Sequence, residues 1–183
     1  MQLTFAVLTA FISAAVAAPA IKRQNVCSLQ DLTGLTVTAS ADQTGKTRWD
    51  IFGSANVLVQ QGELGWFVKD QPSDNEVFTA TVGSQPNLFT FQSKDGQPIG
   101  ISGSSLFASK TAATFKVDCN SGCDSFASSA GTGTLAADGC TFELTDGTNG
   151  VGQCITFEAA NSAVQVQDCQ SGNPGQTFGL FSA

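Results

Sequence analysis

From Leu35 onward the chain is a succession of short apolar and polar alternations, interrupted every few residues by Gly, Pro, Asn or Asp, and no stretch keeps a helical period over two turns. Alternation of period two in segments this short confines the chain to an all-β fold, a barrel or a sandwich. The strand-like segments are 35–39, 48–52, 56–60, 66–69, 77–82, 88–92, 99–101, 106–108, 114–119 and 140–145, with three more after Cys154. Between Phe89 and Ile101 the Asp95-Gly96 pair supplies the positive φ of a tight turn and predicts a hairpin. The 14 Phe and absent Tyr fit a core filled by rings that carry no polar atom in need of a partner.

The C-terminal stretch is the most specific. Cys154 opens a strand in which Ile155 and Phe157 oppose Cys154 and Thr156; Val164 and Val166 then alternate with Gln165 and Gln167, Cys169 closes the segment, and Gln176-Thr177-Phe178 follows a Gly- and Pro-bearing turn. Residues 154–181 resemble one repeat of a ricin-B-type β-trefoil, with Phe178 where that family usually has Trp. The resemblance implies a β-trefoil-like barrel with disulfides, including an intra-repeat Cys154–Cys169 bridge. A β-sandwich is the alternative. Two other segments share the design of an apolar strand followed by a strand carrying x-x-Phe: Val57 through Phe78 and Ile99 through Phe115. If these are repeats, the wider gap before Phe178 needs an insertion, and the small polar residues of 120–134 suit one.

In lectin repeats of this family an Asp two residues after the first Cys binds sugar hydroxyls, an aromatic before the second Cys stacks on the ring, and an Asn beside the Gln completes the hydrogen bonds. Here those positions hold Thr156, Gln167 and Gly175, and only Gln176 and the structural Phe178 remain. The resemblance therefore implies a kept scaffold and a degenerate C-terminal pocket, in which Gln176, Gln167 and Thr156 are the residues left to touch a sugar. Trp66 or Trp49 would serve as a stacking platform in the first repeat if exposed; core packing is the plainer reading of each.

Residues 1–18 form an apolar run ending in small residues, the pattern of a secretory signal, although no Lys or Arg precedes it. Lys22-Arg23 then resembles a kexin-type processing site of fungal secreted proteins. The expected organisation is a signal peptide over 1–18, a pro-segment over 19–23 and a single all-β domain over 24–183. All six Cys lie in the mature part, so disulfides are expected. Six Cys allow 15 pairings, and Cys27, Cys119, Cys123 and Cys140 are left open. Losing Lys22 and Arg23 leaves six basic residues against 15 carboxylates, a net charge of about −9. That argues against nucleic acid and anionic membrane surfaces. No N-glycosylation sequon occurs.

The chain contains no His. This removes the usual general base, the Ser-His-Asp and Cys-His arrangements and the commonest metal ligand. Carboxylate pairs such as Asp74 with Glu76, or Asp42 with Asp50, would have to face one cleft to act as a glycosidase pair, and Asp74-Asn75-Glu76 reads first as a solvated turn. Neither catalytic residues, nor a metal site, nor a cofactor is expected. The sequence fits a secreted monomer acting by binding or structure, located outside the cell or in the cell wall. Its expected partner is an extracellular protein or a cell-wall polysaccharide. An effector- or elicitor-like interaction protein is the leading class, with a carbohydrate-binding lectin and an inhibitor of extracellular hydrolases as alternatives.

Overall fold

The computed structural model describes residues 32–39, 48–52, 57–60, 74–85, 87–120, 133–145, 152–159 and 162–183. Its strands are β1 (Leu32–Ala39), β2 (Trp49–Phe52), β3 (Val57–Gln60), β4 (Phe78–Val82), β5 (Leu88–Ser93), β6 (Ile99–Ser102), β7 (Ser105–Ala108), β8 (Phe115–Asp118), β9 (Leu135–Leu144), β10 (Gln153–Thr156), β11 (Ser162–Ala163), β12 (Gln165–Asp168) and β13 (Phe178–Ser182). Short 3-10 turns, Asp74–Glu76 and Pro174–Gln176, lead into β4 and β13.

Six strands close on themselves. β1 pairs with β13 and β4, β4 with β5, β5 with β8, β8 with β9, and β9 with β13, all antiparallel. Closure leaves no barrel strand with an unpaired edge. The remaining strands form the hairpins β2–β3, β6–β7 and β10–β12. These pair with one another around a triangle: Val57↔Phe107 joins β3 to β7, Ser105↔Gln165 joins β7 to β12, and Ala163↔Val59 returns from β11 to β3. A six-stranded barrel capped by three mutually paired hairpins is a β-trefoil-like fold. The sandwich alternative fails because its two sheets would be separate, whereas here one continuous ladder runs through barrel and cap.

Each repeat contributes the same anchor to the core. Phe78, Phe115 and Phe178 begin the last barrel strand of their repeats, are fully buried, and pair with the final residue of a neighbouring strand, Ser93, Leu144 and Ala39 respectively. Alternation explains the burial: in β5 and β8 every second side chain points inward. Trp49 sits among these rings, with centroids 5.4 Å from Phe142 and Phe178 and 6.2 Å from Phe78, mostly edge-on. A ring buried in this way contributes about 2 kcal/mol from lost water contact, and the edge-on geometry adds to it. Core packing is thus the role of Trp49.

Two features depart from the sequence reading. The Asp95-Gly96 turn forms, with Gly96 at φ 78° and the Ser93 amide donating to Gln97 O at 2.8 Å. Its two arms, however, separate after a single Gln92↔Pro98 bridge: β5 stays in the barrel while β6 leaves for the cap. β9 begins at Leu135, ahead of the expected start at 140. Ala136, Ala137, Asp138 and Gly139 are weak strand formers, and they are held by β13 through Leu180↔Ala137 and Phe181↔Leu135.

Cys154 is bridged to Cys169, as the resemblance implied, and Cys119 at the end of β8 is bridged to Cys140 in β9. Cys27, Cys123, Trp66 with segment 66–69, the leader and pro-segment, Asp42 and residues 121–132 of the expected insertion lie outside the described residues.

Candidate functional site

The cap registers align the three repeats residue by residue. Trp49, Ile99 and Ile155 are the buried anchors of the first hairpin strands and pair with Gln60, Ala108 and Val166. The next residue in each repeat is Asp50, Gly100 or Thr156. At the other end, the residues two before the buried Phe are Glu76, Ala113 and Gln176, and those three before it are Asn75, Ala112 and Gly175. Comparable backbone positions therefore carry three different chemistries.

In the third repeat the polar groups are used up internally. Gln176 is 2 % exposed; its Nε2 donates to Thr156 Oγ1 at 3.0 Å and to Asp168 O at 2.9 Å, while its Oε1 accepts from the Gln170 amide at 2.7 Å. Both N–H groups and the carbonyl of the amide are thus engaged. Thr156 Oγ1, also buried, donates to Cys154 O at 3.2 Å. Gly175 is closed in as well: its carbonyl accepts from the Phe157 amide at 2.6 Å, and a Cβ there would lie 2.4 Å from Phe157 O. As the turn is folded here, a side chain at 175 would collide with Phe157 O. Gln167 is half-buried on the outer face of β12, and its Nε2 donates to Glu158 Oε1.

The second repeat is closed by its own loop. A Cβ at Gly100 would lie 2.3 Å from Thr111 O and 2.4 Å from Ser109 Oγ. Ser109 Oγ donates to Thr111 O at 2.7 Å, and the Ala113 amide donates to Ile99 O at 2.9 Å, which draws the loop onto the strand. With Gly100, Ala112 and Ala113 at the three positions, no polar side chain is available there.

At these positions the first repeat alone carries ionisable groups. Asp50 is 5 % exposed and Glu76 1 %. Arg48 Nη1 stands 3.8 Å from Glu76 Oε2, an ion pair at buried side chains. Two acceptor-only carboxylates thus occupy the positions where the third repeat places a hydroxyl and an amide. Such pairs add little net stability, because desolvation offsets the attraction. Asn75 and Asp74 of the same 3-10 turn are exposed, and Lys94 Nζ meets Asp74 Oδ1 at 2.5 Å. Asp74 and Glu76 therefore face different environments and do not form an opposed acid and base pair. Asp50 and Asn75 were not singled out as sugar contacts in the sequence, although Asn75-Glu76-Val77-Phe78 is spelled as the family's Asn-Gln-x-aromatic with Glu for Gln.

Barrel, triangular cap and threefold repeat together define a β-trefoil-like protein, with charged side chains at the compared positions in the first repeat and internally closed positions in the other two. No family profile matches the chain, and no characterised protein sequence matches it significantly. Among solved structures it is similar to the crystal structure of the Rhizoctonia solani agglutinin, with a TM-score of 0.51 and 15 % identity, over 85 % of this chain and 99 % of that one. At this identity the likeness is one of fold.

Proposed function

We propose that this chain is a secreted, non-catalytic carbohydrate-binding protein of lectin type. The observation that supports it is the likeness of fold, over nearly the whole length of the other chain, to a protein named as an agglutinin. That favours the lectin reading over an effector-like interaction protein or a hydrolase inhibitor. The ligand class is a neutral glycan such as a cell-wall polysaccharide, since a mature net charge of about −9 disfavours polyanions. The same reading takes residues 1–18 as signal and 19–23 as pro-segment, leaving a monomeric domain over 24–183 in an extracellular or cell-wall location.

Glycan-array binding of the mature protein, with pull-downs on insoluble cell-wall polysaccharides and on culture-medium proteins, is the test. Binding to neutral glycans is expected. Retention of a protein partner with no glycan bound would return the interaction-protein class to first place.

A further inference from the structure

We propose that the outer face of the cap, where its three hairpins meet, binds a neutral glycan, with the ring of Phe107 as the platform on which a sugar stacks and Gln165 beside it as a hydrogen-bonding partner. This rests on the carbohydrate-binding reading and gives the ligand a place outside the positions compared above.

The register of the cap defines the face. Leu106 and Ala108 are buried against the core, as are Val164 and Val166, so Phe107 and Gln165 between them point away from the barrel, and both are partly exposed. The two hold the same place in their repeats, each just before the residue that pairs with the buried anchor: Ala108 with Ile99, and Val166 with Ile155. Val59 is the counterpart in the first repeat, preceding Gln60, which pairs with Trp49. Equivalent backbone positions thus bring one aliphatic residue, one aromatic and one amide to the junction where Val57↔Phe107, Ser105↔Gln165 and Val59↔Ala163 join the hairpins. Because Gln165 pairs with Ser105, it stands diagonal to Phe107 on the same face, about 7 to 8 Å away. A glycan lying on the ring reaches the amide.

Phe107 itself is the sign of a ligand. Among the Phe residues whose side chains are described, it is the one that is neither buried nor packed against the core. A phenyl ring left on the outside of a sheet gives up much of its burial energy and keeps an apolar face for the C–H groups of a pyranose. Gln165 Oε1 accepts from Gln167 Nε2 at 3.4 Å, and Gln165 Nε2 has no partner among the described residues, so its two N–H groups are available to hydroxyls. One apolar platform with a few placed polar groups is the make-up of a small-ligand site. The residues that join the hairpins here, Val57, Val59, Ser105, Phe107, Ala163 and Gln165, are all uncharged. On a chain of mature net charge about −9, such a face suits a ligand without charge of its own. A specific protein interface takes about 800 Å² from each partner and several aromatic or Arg anchors, whereas this face offers one ring.

Titration calorimetry of the full mature chain with laminaritetraose, chitotetraose and lactose, together with depletion onto insoluble β-glucan and chitin, tests the site. Phe107→Ala and Phe107→Leu are each expected to weaken binding about tenfold, Phe107→Trp to keep or tighten it, and Gln165→Ala to weaken it about three- to tenfold. Leu keeps an apolar side chain, so a loss in that variant belongs to the ring. Since Phe107 lies outside the core, these variants are expected to melt within about 3 °C of the parent chain. Unchanged binding in Phe107→Ala, with the parent chain binding a probe, would overturn the placement and leave the carbohydrate reading intact. Loss of binding in Asn75→Ala or Gln167→Ala alone would put the sugar on a single repeat and overturn it as well. A dimer in native mass spectrometry that Phe107→Ala dissolves would make this a self-association surface and overturn the proposal. Absence of binding by the parent chain to every probe and to the glycan array would remove the carbohydrate reading, and this inference with it.

Discussion

Replacing Gln176 by Ala removes the clasp that joins β10, the end of β12 and the turn before β13. Three hydrogen bonds of 2.7 to 3.0 Å are lost from a side chain only 2 % exposed. At about 1 kcal/mol each, plus a modest cavity, the expected destabilisation is about 3 to 4 kcal/mol. For a domain of this size that lowers the melting midpoint by about 10 °C. Urea unfolding followed by tryptophan fluorescence reads the change directly, since Trp49 lies in the core. Gln176→Glu sharpens the test: its carboxylate accepts from the Gln170 amide but donates to neither Thr156 Oγ1 nor Asp168 O. Burial beside those oxygens raises the folded-state pKa of the new carboxyl above its unfolded value of about 4.3. Stability is then fullest below that unfolded pKa, where the acid is protonated and can donate, and falls as pH rises through the folded pKa. A loss below about 1 kcal/mol in Gln176→Ala, or a Gln176→Glu variant indifferent to pH between 3 and 7, would refute the clasp.

Three further outcomes follow from the same geometry. Gly175→Ala puts a Cβ at 2.4 Å from Phe157 O, so it is expected to destabilise by about 1 to 3 kcal/mol; a neutral result by thermal melting would show that the turn yields. Lys116 has its pKa raised above 10.5, first by its hydrogen bond to Asp118 against the cost of burial, and further by the charges of Asp118 and Glu143. A raised pKa stabilises below the ordinary value and the benefit is lost as pH rises through the folded one; at 39 % exposure the effect of Lys116→Met is expected below about 1 kcal/mol at pH 8, vanishing at higher pH in paired melts. Peptide mapping of secreted protein is expected to find Cys119–Cys140 and Cys154–Cys169; any of these four Cys found with another partner would contradict it. Closing the 154–169 loop, a separation of 15 residues, is worth about 3 kcal/mol in the chain-entropy model.

Most of the fold was legible because its signals are local. Period-two alternation, the Asp95-Gly96 turn and the recurrent x-x-Phe at 78, 115 and 178 each need only neighbouring residues to be read, and each reappears as a strand, a turn or a buried ring. The strand from Leu135 to Asp138 carries no such signal, because Ala-Ala-Asp has little β propensity of its own and is held by β13 across the barrel. The same division separates the hairpin turn, which was visible, from the parting of β5 and β6 into barrel and cap, which depends on partners far along the chain.

The candidate site shows the limit most clearly. The sequence by itself determined that the C-terminal pocket lacks an Asp, a stacking ring and an Asn, since Thr156, Gln167 and Gly175 occupy those positions. It also determined that no His is present to act as a general base. What only the tertiary structure decided is the correspondence of Asp50 with Gly100 and Thr156. Those residues are matched by the register within each hairpin rather than by any shared spelling, and the hairpins are held against one another by pairings between residues 50, 60 and 104 apart in the chain.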